Sequence, residues 1–331
     1  MSSDIILQGP HFAVFQPFSK EPNRDCKNNL DWATIDLLDL ADGFIPRTNY
    51  QRVIDKTIYE SRIPHWGGSP STAFWRLAWR AMTNSGLERS LISAIIAPGP
   101  AHINSVFSMR LEYNRLTALL AGLFSSLSYD YLAKVSGVAN LHTAALRRFP
   151  IVLEHSGASQ LLLRVLRLNC LTRDYAPLWD ELYEASFAED LWTSSFKEWP
   201  VLAVPHQEWT MDTPLRTDFE RRAALVEIDA LVAIMLGLTA DQLDLMYTGQ
   251  FGVLRKYEYT MWFDNEGTKI AKETHAKGVR QQDDDYKLLM AHLDGQDSGD
   301  LLTRYMEPFV KIDREAEMRA AHAEFTARLG L

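Results

Sequence analysis

Between Leu91 and Ser105 the chain reads "LISAIIAPGPAHINS", and this stretch limits the possible folds more than any other. Leu91, Ile92, Ala94, Ile95 and Ile96 form an apolar run that stops on Pro98-Gly99-Pro100. Proline fixes φ and lacks a backbone N–H, so neither a helix nor a sheet ladder continues through such a turn. A short apolar run closed in this way predicts a buried strand. Burying it requires a sizeable core, which 331 residues with 47% hydrophobic content can supply, and the length predicts two domains. Past the turn, His102, Asn104 and Ser105 are expected on a loop that touches a polar partner.

Charge narrows the choice of partner. The net charge of −9 at first disfavours nucleic acid, because neutralising phosphates needs Lys and Arg. Its distribution changes that. Residues 1–42 carry net −4 and residues 156–331 net −11, whereas residues 43–155 hold 12 basic and 6 acidic side chains, net +6. A basic island between acidic flanks points to an anionic partner for the middle of the chain. Cys26 and Cys170 lie far apart without C-x-x-C spacing, which predicts a reducing compartment. No apolar run reaches the roughly 18 residues of a membrane span. "MSSDIILQGP" lacks the basic and long apolar regions of a leader. A cytoplasmic protein with no membrane partner is expected.

The hydrophobic pattern predicts an α+β fold, with a mixed domain over residues 1–155 and a mainly helical domain over 156–331. "IILQGPHFAVFQPF" reads as two short strands with a turn, and "IPRTNYQR" as a loop. "SPSTAFWRLAWRAMTNSG" reads as a helix, because Phe74, Leu77, Ala78, Ala81 and Met82 recur at helical spacing. "NRLTALLAGLFSSLSYDYLAKVSG" supplies one or two helices, and "NLHTAALRRFPIVL" a short helix ending in a strand-like run. Pro177 is a candidate kink in the helical segment that follows residue 173. Pro214 suits the first turn of a long helix closed by Gly237. Thr239 and Gln242 fit a capping box. A β-hairpin is expected near residues 259–271, turning at Asn265-Glu266-Gly267, and a helix closes the chain.

Signatures of catalysis are missing. The chain has no G-x-G, no P-loop, no G-x-S-x-G and no E-x-K pair, and its nine histidines form no H-E-x-x-H or His/Cys cluster. Neither a metal nor a catalytic residue is therefore expected. Asp283-Asp284-Asp285 reads as a solvated turn, and Glu227 and Asp229, two apart on a helix, do not face each other.

Polar groups that suit nucleic acid gather in the basic middle. Arg47, Asn49 and Tyr50 sit in the predicted loop, while Arg76, Arg80 and Arg89 lie in and after the predicted helix at 71–86. Lys134, Asn140, His142 and Arg147 surround a short helix whose N-terminus, capped at Asn140, offers N–H groups to a phosphate. Arg pairs with guanine and Asn with adenine, and both also contact phosphates. Each of these groups equally suits a self-solvating loop or an ordinary cap. Lys269, Lys272, His275, Lys277 and Arg280 around Gly278 suit either a backbone-contacting arm or a solvated loop.

The order of several segments resembles a known family. "PRTNYQR", "FWRLAWRAM", "ERSLISAIIAPGPAHINSV", "NLHTAALRRFPI", "LRLNCLT", "RAALVEIDALVAIMLGLT" and "FGVLRKYE" are together similar to the C-terminal, target-recognition half of large bacterial adenine-specific DNA methyltransferases. These are the methylases of fused restriction–modification systems and of DISARM- and BREX-type phage defence. The likeness covers nearly the whole chain and implies a target-recognition-like domain over 1–155. The family's catalytic half carries a glycine-rich loop for S-adenosylmethionine and an N-P-P-Y-type motif, whereas this chain has no Pro-Pro at all. The resemblance thus implies recognition of double-stranded DNA without methyl transfer, and no S-adenosylmethionine bound by this chain. It also implies a catalytic methyltransferase domain or subunit as partner, with the chain a fragment or a split subunit. A protein–protein adaptor in a defence complex is the alternative.

Overall fold

The computed structural model describes residues 4–83, 86–194 and 201–331 and is mixed α+β. Short extended pieces come first: β1 (Ile6–Leu7), β2 (Lys20–Pro22) and β3 (Trp32–Thr34), the last two paired antiparallel. Helix α1 (Lys56–Arg62) and a small hairpin, β4 (His65–Trp66) with β5 (Ser69–Pro70), lead to β6 (Arg76–Arg80). Then follow β7 (Ser93–Ile96), β8 (Ala101–His102) and β9 (Val106–Met109). β6 is central, antiparallel to both β7 and β9, with Leu77 opposite Ile95 and Trp79 opposite Phe107.

The apolar run at 91–97 is the predicted buried strand, and it is covered on both faces. Leu91, Ile95 and Ala97 join Leu77 and Trp79 in the main core, whereas Ile92, Ala94 and Ile96 join Ala78, Val106, Leu7 and Phe12 in a second cluster. A strand with two dry faces needs apolar residues at nearly every position, as this one has. β7 lies at a sheet edge, yet its outward backbone groups are satisfied by side chains and loop backbone. Ile95 N–H donates to Asn169 Oδ1 at 2.9 Å, Tyr175 O–H donates to the Ile95 carbonyl at 2.9 Å, and Phe15 N–H donates to the Ser93 carbonyl. Gly99 then takes φ +112°, open to glycine alone, and directs β8 into a parallel pairing with β1.

Residues 71–86 do not form the predicted helix. Ser71–Ala73 make one 3-10 turn, and the chain is extended from Phe74 through β6. Of the expected helix, which was to end at Gly86, residues 84 and 85 lie outside the described residues. "WRLAWR" carries a period of two as well as one of 3.6, since Trp75, Leu77 and Trp79 alternate with Arg76, Ala78 and Arg80. The paired strands decide in favour of two. "PIVL" after Phe149 likewise belongs to no strand.

The helices follow. They are α2 (Asn114–Ser125), α3 (Leu127–Val135), α4 (Thr143–Leu146), α5 (Ala158–Asn169), α6 (Ala176–Leu182), α7 (Asp218–Met235), α8 (Ala240–Gln250) and α9 (Gly252–Tyr259). The hairpin β10 (Met261–Phe263) with β11 (Lys269–Ala271), helix α10 (Asp285–Leu293), strand β12 (Val310–Lys311) and helix α11 (Arg314–Leu329) complete the chain. Pro177 sits in the first turn of α6 and causes no kink. α7 starts at Asp218 instead of Pro214, because Thr217 and Glu220 form a capping box there. The predicted box at Thr239 and Gln242 opens α8. α2 packs against the sheet, α5 and α7, and one core cluster runs from Phe15 through Leu163 to Phe325, crossing residue 155 without a break. Gly122 permits the approach of α2 to α5: a Cβ there would stand 2.7 Å from Val165 Cγ2.

Two acidic features resolve differently. Asp285 is buried and accepts from Arg304 and from the Tyr305 hydroxyl at 2.7 Å, so the Asp283–Asp285 run is not wholly a solvated turn. Glu227 and Asp229 take separate partners, Arg164 and Arg314.

Candidate nucleic-acid interface

The C-terminal end of β6 draws several predicted contact residues into one neighbourhood. Ala81 N–H donates to the Ser105 carbonyl, and the Ala81 carbonyl accepts from Leu141 N–H, so the 103–105 turn and the 139–142 segment flank the same residue. Met82 bridges to Asn140. On the other side, Gly9 N–H donates to Ser105 Oγ at 3.3 Å and Ile103 N–H to the Leu7 carbonyl at 3.1 Å, which ties the turn to β1. Thr48 Oγ1 donates to the Ile6 carbonyl, holding the 47–50 loop beside β1 as well. Three stretches distant in sequence thus meet at one end of the sheet.

Within that neighbourhood the predicted residues divide into interior braces and exposed groups. Arg76 is 1% exposed and donates to the Phe74 and Pro100 carbonyls. Arg80 donates to the carbonyls of Gly9, at 2.9 Å, and Phe12. Burial lowers both guanidiniums to about 10; Arg76 is shut off from solvent, and half-buried Arg80 is committed to loop carbonyls. Their expected placement on a helix face is corrected with the helix itself. Arg47 pairs with Glu21 at 2.6 Å and donates Nε to the Pro22 carbonyl, while its own carbonyl accepts from His11 Nε2 at 2.8 Å.

His102 is mostly enclosed. Its Nδ1 donates to the Ile103 carbonyl at 3.2 Å, so Nε2 accepts from the Ser108 hydroxyl at 2.8 Å. Burial first, and Arg76 nearby, hold its pKa down at about 4. It is a neutral positioning group for the turn. Ser105 spends its hydroxyl on Gly9.

Arg47 is exposed as well but is tied to Glu21; the rest of the exposed set is Asn49, Tyr50, Asn104, Asn140, His142 and Arg147, with Arg148 beside it. Asn49 and Tyr50 ride on the braced loop, and Tyr50 is 44% exposed. The His142 ring packs on Phe107 at 5.1 Å between centroids. His142, not Asn140, precedes α4, and no side chain caps that helix. α4 is a single turn, too short for the phosphate-binding N-terminus that the sequence suggests. Arg147 and Arg148 follow it, exposed and, among the described residues, in no ion pair.

Arg89 and Lys134 lie in a different neighbourhood. Arg89 is 3% exposed and reaches Asp229 at 3.5 Å. Lys134 Nζ donates to Ser90 Oγ at 3.2 Å and sits over the Phe251 ring, lowered in pKa by burial against the pull of Asp130. The basic island is therefore not a basic surface. Arg52 pairs with Asp4, Arg115 with Glu184 and Lys56 with Glu60, and Arg110 lies over the Phe74 ring. A count of charges along the chain cannot distinguish a brace from a surface group.

Among the described residues, no three His, Cys, Asp or Glu side chains are placed to hold a metal, and no helix is long and apolar enough to cross a membrane. No family model, curated protein or solved structure matches the chain.

Proposed function

We propose that this chain is a DNA-recognition module whose contacting surface is the C-terminal end of β6, presented by Asn49, Tyr50, Asn104, Asn140, His142, Arg147 and Arg148. The observation that carries this proposal is the hydrogen-bonded junction at Ala81, which sets the 103–105 turn and the 139–142 segment side by side. Exposed amides read base edges, and unpaired guanidiniums meet phosphates. The buried arginines beneath them anchor loop carbonyls, so the contacting groups stand on a rigid base. By its family resemblance the module serves an adenine-specific methyltransferase or phage-defence system. Methyl transfer and S-adenosylmethionine then belong to a catalytic partner.

Duplex binding by the whole chain, followed by fluorescence anisotropy across a salt series, tests this. The double variant Arg147→Glu, Arg148→Glu is expected to bind at least tenfold more weakly. It should also flatten the slope of log K against log salt by about 2, since each lost phosphate contact removes about 0.9. Asn104→Ala and Asn140→Ala should instead reduce discrimination between sites by about 1–3 kcal/mol per lost base contact. A chain that binds no duplex, or binds it equally well in the double variant, would leave the adaptor alternative standing.

A further inference from the structure

The sheet β7–β6–β9 has two edges, and the chain treats them differently. On β6, Arg80 N–H donates to the Ile92 carbonyl and Ala81 N–H to the Ser105 carbonyl. Backbone groups alternate sides along a strand, so even-numbered β6 residues bond β7 and odd-numbered ones bond β9. That register turns the backbone groups of Val106 and Ser108, opposite Arg80 and Ala78, and of Arg110 beyond them, away from the sheet. Val106 N–H donates to the Ile103 carbonyl at 3.0 Å. Among the described residues, the Val106 carbonyl, both backbone groups of Ser108 and the Arg110 N–H have no hydrogen-bond partner.

Elsewhere the chain covers such groups. Asn169, Tyr175 and Phe15 take those of β7. On β11, Ala271 N–H donates to Gln281 Oε1 at 2.9 Å, and the Ala271 carbonyl accepts from Gln281 Nε2 at 2.7 Å. β9 also lacks the usual guards of an exposed edge. Its "VFSM" has neither charge nor proline, and its ladder with β6 runs without a bulge. Phe107 and Met109 lie on one face, half-buried against the main core.

The bare residues are spaced symmetrically about Ser108, so a second β9 running antiparallel meets the first in register. We propose that two copies of the chain pair along β9 about a twofold axis at Ser108, joining two three-stranded sheets into one. Ser108 and the partner's Ser108 exchange two backbone bonds, and the Val106 carbonyl accepts from the partner's Arg110 N–H, twice by symmetry. Phe107 then stands opposite the partner's Met109, also twice, at the non-hydrogen-bonded positions where cross-strand side chains come closest. Arg110 faces the partner's Val106, so no like charges are opposed. An unrelated extended peptide satisfies the same backbone groups, but the match of Phe107 to Met109 in that register belongs to a second copy. The pairing does not depend on DNA recognition, and its test uses no DNA.

Sedimentation equilibrium of the whole chain tests the proposal. A dimer of twice the 37.7 kDa chain mass is expected, dissociating on dilution, with hydrogen exchange at the Ser108 and Arg110 amides slowing as it forms. Ser108→Pro removes an outward N–H without touching the ladder to β6, as proline on an edge strand can, and should weaken the dimer at least tenfold. It also gives up the 2.8 Å bond between Ser108 Oγ and His102 Nε2. Met109→Lys keeps that bond and sets a charge against the partner's Phe107, so it decides the matter if the proline variant does not fold; the same weakening is expected. A monomer at every concentration up to about 100 μM overturns the proposal. So does a dimer equally tight in Met109→Lys, or one whose Ser108 amide exchanges as fast as in the monomer. A monomer that binds a synthetic peptide of residues 104–111 also overturns it, and assigns the edge to an extended segment of another protein.

Discussion

Arg76 and Arg80 show how a charged side chain can serve a fold from inside. Each ends on backbone carbonyls of neighbouring loops, where a guanidinium fork holds two oxygens at once. His11 and His102 act alongside them as neutral rings, and burial pulls both below the ordinary histidine value of 6.5, His102 to about 4. The sign of the consequence follows. Between about pH 4 and 6.5 the unfolded chain binds more protons than the folded one, so stability falls as pH drops through that window. For His102 the loss between pH 7 and pH 5 is about 2 kcal/mol. Urea unfolding at the two pH values should show a lower midpoint at pH 5, and His102→Gln should lessen the difference. An unchanged pH dependence in that variant would mean that His102 takes up its proton at the same pH in the folded and unfolded chains. None of this is legible in "AHINS", because a histidine's letter does not say whether water reaches it.

Elements were more legible than residues, and the reason is local. α8 announces itself through Thr239 with Gln242, a box that operates within four residues, and α7 carries the same device in Thr217 with Glu220, passed over in favour of Pro214. α11 ends on Gly330 at φ +66°, again a local device. β6 was misread because "FWRLAWRAM" satisfies two periods, and only its partners β7 and β9 select one. Gly122 makes the same point in reverse, since mid-helix it reads as a mild defect until α5 is laid against it. Gly122→Ala brings a methyl to 2.7 Å from Val165 and 2.9 Å from Leu161. The expected cost is about 1–3 kcal/mol of stability, despite alanine's better helix propensity. Thermal melts should register it as a lowered Tm, and Val165→Ala in the same chain should recover part of the loss by making room. A Gly122→Ala variant as stable as its parent would show that the two helices can separate without cost.

For the whole molecule, composition conveyed a substantial core and the hydrophobic pattern the α+β class, but neither conveyed how that core is shared. The boundary expected near residue 155 came from a change in texture, whereas α2 on one side of it packs on α5 and α7 on the other. Calorimetry of the whole chain is therefore expected to show a single unfolding transition, and residues 1–155 expressed alone should lack a cooperative melt. Two separated transitions, or a folded 1–155 fragment, would count against a shared core. The candidate surface was half legible: its exposed amides and guanidiniums were named from the sequence, but so were the braces beneath them, because only the pairing of distant segments separates the two sets.

The sheathing of β7 by Asn169, Tyr175 and Phe15 carries one more consequence. An open sheet flank is where a stranger's extended segment can zip on, whether a partner's tail or another copy in an aggregate. Here that flank has already been taken by the chain's own groups. Any protein partner must therefore engage other surfaces of the chain, and its grip will depend on which residues it meets there more than on shared backbone pairing along β7.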